Sequence, residues 1–180
     1  RACRAGAPQH RRFSTCTTPR TGLSSGLRRC RRDWPGRPGD DIGTGGHLLK
    51  TYSGSCHCGA VRFQADIDLA QPTYRCNCSI CRRTRFWPAV ALPGGFRITR
   101  GEGDLTRYTF GTHKNHHYFC RHCGVRVFGH GTDTPMGEMH GVNVGCINGL
   151  TDEDLARLAI VRVDGLHDQW QQAPAHSGYL

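Results

Sequence analysis

The chain lacks a long hydrophobic run and has no internal repeat. No apolar stretch in its 180 residues approaches the ~20 that a membrane span requires, and no signal-peptide core precedes a cleavage site. We therefore expect a soluble intracellular protein without membrane contact. Because no repeat is long enough to indicate a solenoid, the length predicts one domain with a modest core.

Acidic side chains are also scarce at the start of the chain. Residues 1–46 contain ten arginines against three aspartates, and so carry +7 of the net charge of +10. This composition buries little apolar surface, which predicts a disordered extension. The alternative is a targeting segment, because residues 11–15 resemble an organellar presequence; the protein would then be mitochondrial rather than cytoplasmic.

The rest of the chain has a net charge of only +3. It has no basic stripe beyond a short run of arginines at residues 82–85, so we do not expect a nucleic-acid partner.

Short β-branched or aromatic segments, separated by glycine or proline, fill the chain from about residue 50. Val61 and Phe63 alternate with polar residues, which places them on one face of a strand. Thr151 can cap a short helix with Asp154 at its third position. The pattern predicts a mainly β domain over residues 50–175 with short helical segments. Further strands are predicted at residues 88–92, 96–99, 106–110, 125–128, 142–144 and 160–163.

Seven of the eleven cysteines have the spacing of metal ligands rather than of disulfides. Two pairs, Cys56 with Cys58 and Cys120 with Cys123, are each followed by a glycine. Glycine allows a turn with positive φ that directs backbone amides at the ligand sulfur. We expect these two knuckles to share one structural zinc ion, which would join the two ends of the sheet and contribute directly to the folding free energy.

The other three cysteines, Cys76, Cys78 and Cys81, lie within six residues. They can fill three corners of a zinc tetrahedron and leave the fourth to water or substrate, which predicts a second, catalytic zinc. Three thiolates give this site a net charge of −1, so it can accept an exogenous thiol and keep it as thiolate. The alternative is a second structural zinc closed by a histidine. The candidate histidines are His57, His116, His117 and His122.

Further polar residues are candidates for the site. Arg82, Arg83 and Arg85 either pair with the carboxylates of an anionic thiol or form a solvated charge run. The histidine pair at residues 116 and 117 is either an acid–base group or a surface or hydrogen-bonded pair. Cys146 is either a nucleophile or a small buried apolar residue, and its sequence favours the second interpretation.

Three cysteine motifs in this order resemble those of the glutathione-dependent formaldehyde-activating enzymes, a group that includes the centromere protein V-like proteins. The motifs occupy residues 54–63, 76–82 and 118–125, and the likeness spans about residues 50–170. The end of the chain is similar too, with Asp164 and Gly165 leading to Trp170. The resemblance implies an Mss4-like β-tent fold. It also implies a structural zinc on Cys56, Cys58, Cys120 and Cys123 and a catalytic zinc on Cys76, Cys78 and Cys81.

The resemblance further implies the activity of an S-(hydroxymethyl)glutathione synthase, a carbon–sulfur lyase that acts on glutathione or a similar thiol and on formaldehyde or a related aldehyde. One alternative is a non-catalytic, zinc-stabilised binding module of the centromere protein V-like type. Another is an enzyme similar to methionine sulfoxide reductase, with Cys146 as nucleophile. Residues 83–87 are bulkier than the glycine-containing segment of many members, which predicts a narrower or different substrate pocket.

Overall fold

The structure, a computed structural model, describes residues 49–180. The predicted extension at residues 1–46 lies outside these residues. Within them, no helix is both long and apolar enough to cross a membrane. The strands are β1 (Lys50–Ser55), β2 (Arg62–Ile67), β3 (Thr73–Cys76), β4 (Pro88–Ala91), β5 (Phe96–Arg100), β6 (Leu105–Thr109), β7 (Asn115–Cys120), β8 (Arg126–Thr134), β9 (Gly137–Asn143) and β10 (Ile160–Val163). The helices are α1 (Ser79–Thr84) and α2 (Asp152–Arg157), with 3-10 turns at Glu102–Asp104 and Val144–Cys146.

The strands form three sheets. An antiparallel five-stranded sheet has the order β4-β9-β8-β7-β6, and an antiparallel three-stranded sheet has the order β1-β2-β5. The short strand β3 pairs with β10 in parallel, with Cys76 opposite Val163. The prediction of a mainly β fold with short helices is therefore confirmed, whereas its assignment to the Mss4-like β-tent stays a prediction.

One buried apolar cluster connects the two larger sheets. Phe63 of β2 is only 1% exposed. The ring centres of Phe96 on β5 and Phe128 on β8 are 4.5 Å apart. Val61, which directly precedes β2, is fully buried as well, so the predicted common inward face of Val61 and Phe63 is confirmed. Each such side chain stabilises the fold by about 1.5–3 kcal/mol, and this shared core fixes the sheet ends that carry the cysteines.

The predicted helix start at Thr151 is confirmed by a capping box. The Thr151 hydroxyl accepts a hydrogen bond from the backbone N–H of Asp154, whose carboxylate in turn accepts one from the backbone N–H of Thr151. The strand predicted at residues 142–144 is wrong at its end. The side chain of Asn143 accepts from the Gly145 N–H at 3.2 Å, and this bond starts a 3-10 turn at Val144.

Candidate metal centres

The two cysteine knuckles have the same backbone geometry. In the first, Cys56 N–H donates to Val61 C=O at 3.0 Å; in the second, Cys120 N–H donates to Val125 C=O at 2.9 Å. The glycine of each knuckle has a positive φ, 74° at residue 59 and 72° at residue 124, and donates its N–H to the carbonyl of the first cysteine. In the first knuckle the Val61 N–H also donates to Cys56 Sγ at 3.3 Å. The glycines thus allow the amide-lined turns that the sequence predicts.

The four sulfurs of these knuckles have the spacing of a metal tetrahedron. All four lie within 4.8 Å of one another, and Cys58 Sγ lies 3.6 Å from Cys56 Sγ and 3.7 Å from Cys120 Sγ. Zinc–sulfur bonds of about 2.3 Å in a tetrahedron place the sulfurs about 3.8 Å apart. Cys56, Cys58, Cys120 and Cys123 can therefore hold one metal ion.

This four-cysteine cluster connects two different sheets. Its first knuckle joins β1 to β2 in the three-stranded sheet, and its second joins β7 to β8 in the five-stranded sheet. The sequence led us to expect that the cluster would join two ends of a single sheet, and the structure corrects this. A metal ion here would cross-link the two layers around the apolar core, so ligand loss is expected to separate them.

The second cluster lies at the junction of β3 and α1. Cys76 ends β3, Cys78 is the N-cap of α1 and Cys81 lies in its first turn, so a strand end and one helical turn bring the three sulfurs together. These sulfurs also lie within 4.8 Å of one another. The Cys78 N–H donates to Cys76 Sγ at 3.3 Å. This three-cysteine cluster can hold a metal ion with three protein ligands.

The three thiols strongly affect one another's protonation. Hydrogen bonds from Cys76 and Cys81 lower the pKa of Cys78 to about 2, whereas hydrogen bonds with Cys78 and Cys81 raise the pKa of Cys76. The cluster therefore stabilises a thiolate at neutral pH, and thiolate is the form that binds metal.

The chain's last loop packs against this cluster. Asn77 donates its side-chain N–H to Asp164 at 2.7 Å and accepts from the Leu166 N–H at 2.9 Å, so the loop is fixed to the residue between Cys76 and Cys78. A Cβ on Gly165 would lie 2.6 Å from Cys76 Sγ. At Gly165 the backbone therefore approaches the sulfur as closely as only glycine allows.

None of the four candidate histidines joins the three sulfurs in residues 49–180. His57 is exposed in its turn, and His122 binds Asp104 through Nε2 at 2.8 Å. His116 packs edge-on against Tyr118. His117 is buried, and burial, followed by the charge of Arg126, lowers its pKa to about 4. His117 is therefore neutral near pH 7, and its Nδ1 accepts a hydrogen bond from Arg126 at 2.6 Å. Because none of the four histidines lies with the three sulfurs, the structure does not support closure by histidine.

Arginines lie beside the three-cysteine cluster. A narrow cleft is lined by Cys76, Cys81, Arg75, Arg82, Arg85, Phe86 and Leu180. The predicted Arg82 and Arg85 thus lie at the cluster, whereas Arg83 turns back to donate to the Ser79 carbonyl at 2.8 Å. Arg85 donates to the Tyr179 carbonyl at 2.7 Å. Arg75 stacks on Trp87 at 4.6 Å. Its position was not predicted from the sequence, because β3 itself was not predicted.

Arg126 was also missed from the sequence. It follows the second knuckle, where its alternation with Val125 and Val127 predicts an exposed side chain. Instead, Arg126 is only 6% exposed, and its guanidinium reaches Cys81 Sγ at 3.6 Å. Burial lowers the pKa of Arg126, and the charge and hydrogen bonding of Cys81 oppose this shift.

Cys146 belongs to the apolar core rather than to either cluster. It is 4% exposed, and burial raises the pKa of its thiol to about 12. A thiol in this state is a poor nucleophile, so the structure favours the interpretation of Cys146 as a small buried apolar residue.

A cavity of about 360 Å³ in residues 49–180 contacts neither cluster. Its lining contains no cysteine and is formed by Phe96, Arg97, Ile98, Glu102, Leu105, Tyr118, Phe128, His130 and His140. This cavity is therefore separate from both cysteine clusters.

The chain is similar in sequence and structure to known proteins. A protein of Halomonas elongata named "Putative glutathione-dependent formaldehyde-activating enzyme" is 61% identical over 52 residues. This match covers 28% of the chain and 29% of that relative, so it spans less than a third of either protein. A crystal structure of a Rhodobacter sphaeroides protein has 35% identity and a TM-score of 0.54, and the match covers 61% of this chain and 99% of that one.

The family match extends over both clusters. The family described as "Glutathione-dependent formaldehyde-activating enzyme" matches residues 51–164, from the strand before the first knuckle to the loop that packs on Cys76. This is more than half of the chain and contains all seven clustered cysteines. The chain belongs to the glutathione-dependent formaldehyde-activating enzyme family.

Proposed function

We propose that the chain is a zinc-dependent carbon–sulfur lyase or synthase that forms or cleaves S-(hydroxymethyl)glutathione or a related adduct. The observation that carries this proposal is the three-cysteine cluster, which has no fourth protein ligand in residues 49–180 and borders a narrow cleft lined by arginines. Membership of the family and the name of the Halomonas relative support glutathione and formaldehyde as substrates.

The two clusters would have different tasks. Cys56, Cys58, Cys120 and Cys123 complete a tetrahedron and would hold a structural zinc. Cys76, Cys78 and Cys81 would hold the second ion and leave its fourth position to the sulfur of the substrate. Bound zinc would supply a Lewis acid that keeps this thiol deprotonated near neutral pH.

The reaction needs few further groups. The substrate sulfur forms a bond to the aldehyde carbon, the carbonyl π electrons move to oxygen, and the proton lost from the thiol is returned to that oxygen. The reverse reaction breaks the same carbon–sulfur bond. The chain's residues therefore have to orient the thiol, because a correctly held nucleophile and carbonyl gain most from proximity.

The arginines of the cleft would provide this orientation. Arg82 and Arg85 line the cleft together with Cys76 and Cys81, and glutathione carries two carboxylates. Within residues 49–180, neither arginine forms an ion pair with an acidic side chain. Because Arg85 binds the Tyr179 carbonyl, this contact would be exchanged for the substrate carboxylate on binding.

The test measures exchange between ¹³C-formaldehyde and glutathione by NMR, as acceleration over the uncatalysed reaction. We expect zinc-replete wild type to accelerate exchange, Cys78→Ser to lose the acceleration and Cys146→Ser, which removes a thiol outside both clusters, to keep it. Loss of activity in Cys146→Ser instead would favour the sulfoxide reductase alternative. Wild type that binds two zinc ions and accelerates no thiol–aldehyde pair would contradict the enzyme proposal and favour a binding module.

Substrate charge gives a second test. Glutathione diethyl ester keeps the thiol and lacks both carboxylates, so we expect a higher KM for it with wild type. Arg85→Gln should raise the KM for glutathione and leave that for the ester nearly unchanged. Equal effects on both substrates would show that Arg85 does not bind a carboxylate.

A further inference from the structure

The guanidinium of Arg126 lies between the three-cysteine cluster and His117. Its Nη1 donates to Cys81 Sγ at 3.6 Å and to Thr84 Oγ1 at 3.3 Å, and its Nη2 donates to His117 Nδ1 at 2.6 Å. Its central carbon lies 3.5 Å from the centre of the Phe86 ring. The side chain is thus held from several directions in one orientation.

This buried cation has no acidic partner in the described part of the chain. The ion pairs of residues 49–180 do not include Arg126, although the residue is only 6% exposed. A buried charge is strongly unfavourable unless an opposite charge lies nearby. The sulfurs of Cys76, Cys78 and Cys81 are the groups that can supply it. Three thiolates around one divalent ion have a net charge of −1, which a single arginine neutralises.

We propose that Arg126 is the positioning residue of the three-cysteine cluster, a built-in counter-cation that orients Cys81 Sγ and stabilises the metal-bound form of the cluster. The arginine acts through Cys81 and does not touch the substrate. This inference rests on the metal site of the proposed function.

The same arginine determines the hydrogen position on His117. Because Nη2 donates to Nδ1, a neutral His117 carries its hydrogen on Nε2. That nitrogen is buried and has no hydrogen-bond partner in residues 49–180. Arg126 therefore connects the charge of the cluster to the orientation of the neighbouring imidazole.

The experiment compares metal affinity at the two clusters in full-length protein. Apo protein is titrated with zinc against a chromophoric chelator, and cobalt is then bound in place of zinc to record thiolate-to-metal absorption. We expect Arg126→Met to weaken binding of one of the two ions by about 10–100-fold and to leave the other unchanged. Arg126→Lys keeps the charge but not the two-nitrogen hydrogen bonding, so it should bind the affected ion more tightly than Arg126→Met does.

A structural role alone would lower thermal stability without changing the affinity or cobalt spectrum of one cluster. Arg107→Met, which removes an exposed arginine from β6, is the matched control and should bind both ions like wild type. If Arg126→Met does not fold, Arg126→Gln replaces it with the same expected loss. If neither neutral variant folds in excess zinc, Arg126 is a structural residue and the inference fails.

The remaining outcomes separate this inference from the proposed function. Wild type that binds only one ion per chain overturns the proposed metal site and the inference with it. If wild type and Arg126→Met each bind two ions, and the affinity for each ion is the same in both proteins, the inference alone is overturned. Selective weakening of one ion, partly restored by Arg126→Lys, supports it.

Discussion

Gly165→Ala is expected to damage the three-cysteine cluster while leaving the four-cysteine cluster intact. An added Cβ would lie 2.6 Å from Cys76 Sγ and 2.7 Å from the ring of Trp170. Ordinary non-bonded contacts lie near 3.5–4.0 Å, so the sulfur or the loop must move by about 1 Å. Asn77 resists movement of the loop, because its side chain binds both Asp164 and the Leu166 N–H.

The size of this shift determines the expected result. Metal sites tolerate displacements of about 0.2 Å in ligand distance, which is much less than the shift imposed on Cys76. Overpacking of this kind costs about 1–3 kcal/mol, which lowers Tm by roughly 4–10 °C for a domain of this size. We expect zinc content to fall from about two ions per chain to about one.

The assay combines thermal unfolding with zinc quantification by mass spectrometry. Gly103→Ala is the matched control, because a Cβ at that position meets no atom within 4 Å. If Gly165→Ala retained two zinc ions and the Tm of the control, the close packing of the last loop on Cys76 would be refuted.

Three further predictions address the rest of the chain. Cys123→Ser should unfold the domain, because the roughly 10 kcal/mol of zinc binding is comparable to the whole free energy of unfolding of a small domain. Circular dichroism and metal analysis check this, and a folded variant that retains two zinc ions would contradict the structural site. Acid should destabilise the fold through His117, whose folded pKa of about 4 lies below its ordinary value. Between about pH 6.5 and pH 4 the unfolded chain takes up a proton that the folded chain does not, which lowers the free energy of unfolding by up to about 3 kcal/mol. Denaturant titrations of wild type and His117→Gln should show a shallower pH dependence in the variant, and parallel curves would argue against this assignment. Removal of residues 1–46 should leave zinc content and Tm unchanged, because their composition buries little apolar surface; a lower Tm by calorimetry would show a structural role.

The parts of the fold that the sequence predicted depend on short-range patterns. The knuckles follow from a cysteine pair and a glycine, and both glycines have the expected positive φ. The cap of α2 follows from Thr151 and Asp154, which lie three positions apart and form one capping box. In each case the partners lie within a few residues, so their contacts are visible in the local order of side chains.

The missed features depend on contacts between distant segments. Helix α1 is only six residues long and has no apolar periodicity, and β3 is stabilised as a strand by β10, more than eighty residues later. Arg126 is buried because α1 places Cys81 and Phe86 against β8, and neither partner is near it in sequence. Sequence patterns therefore identified the clustered cysteines and the nearby Arg82 and Arg85, but not Arg75 and Arg126.

Zinc-edge X-ray absorption on the two-zinc protein, recorded with and without glutathione, tests most directly whether the three-cysteine cluster has an open position for substrate. One closed and one open site give an average of about 3.5 sulfurs per zinc, and binding of the glutathione sulfur should raise this to about 4. Cys78→Ser, which retains the four-cysteine cluster, should show about four sulfurs on a single zinc with no response to glutathione. A wild-type spectrum that starts at four sulfurs, or that does not change with any thiol, would contradict the open site.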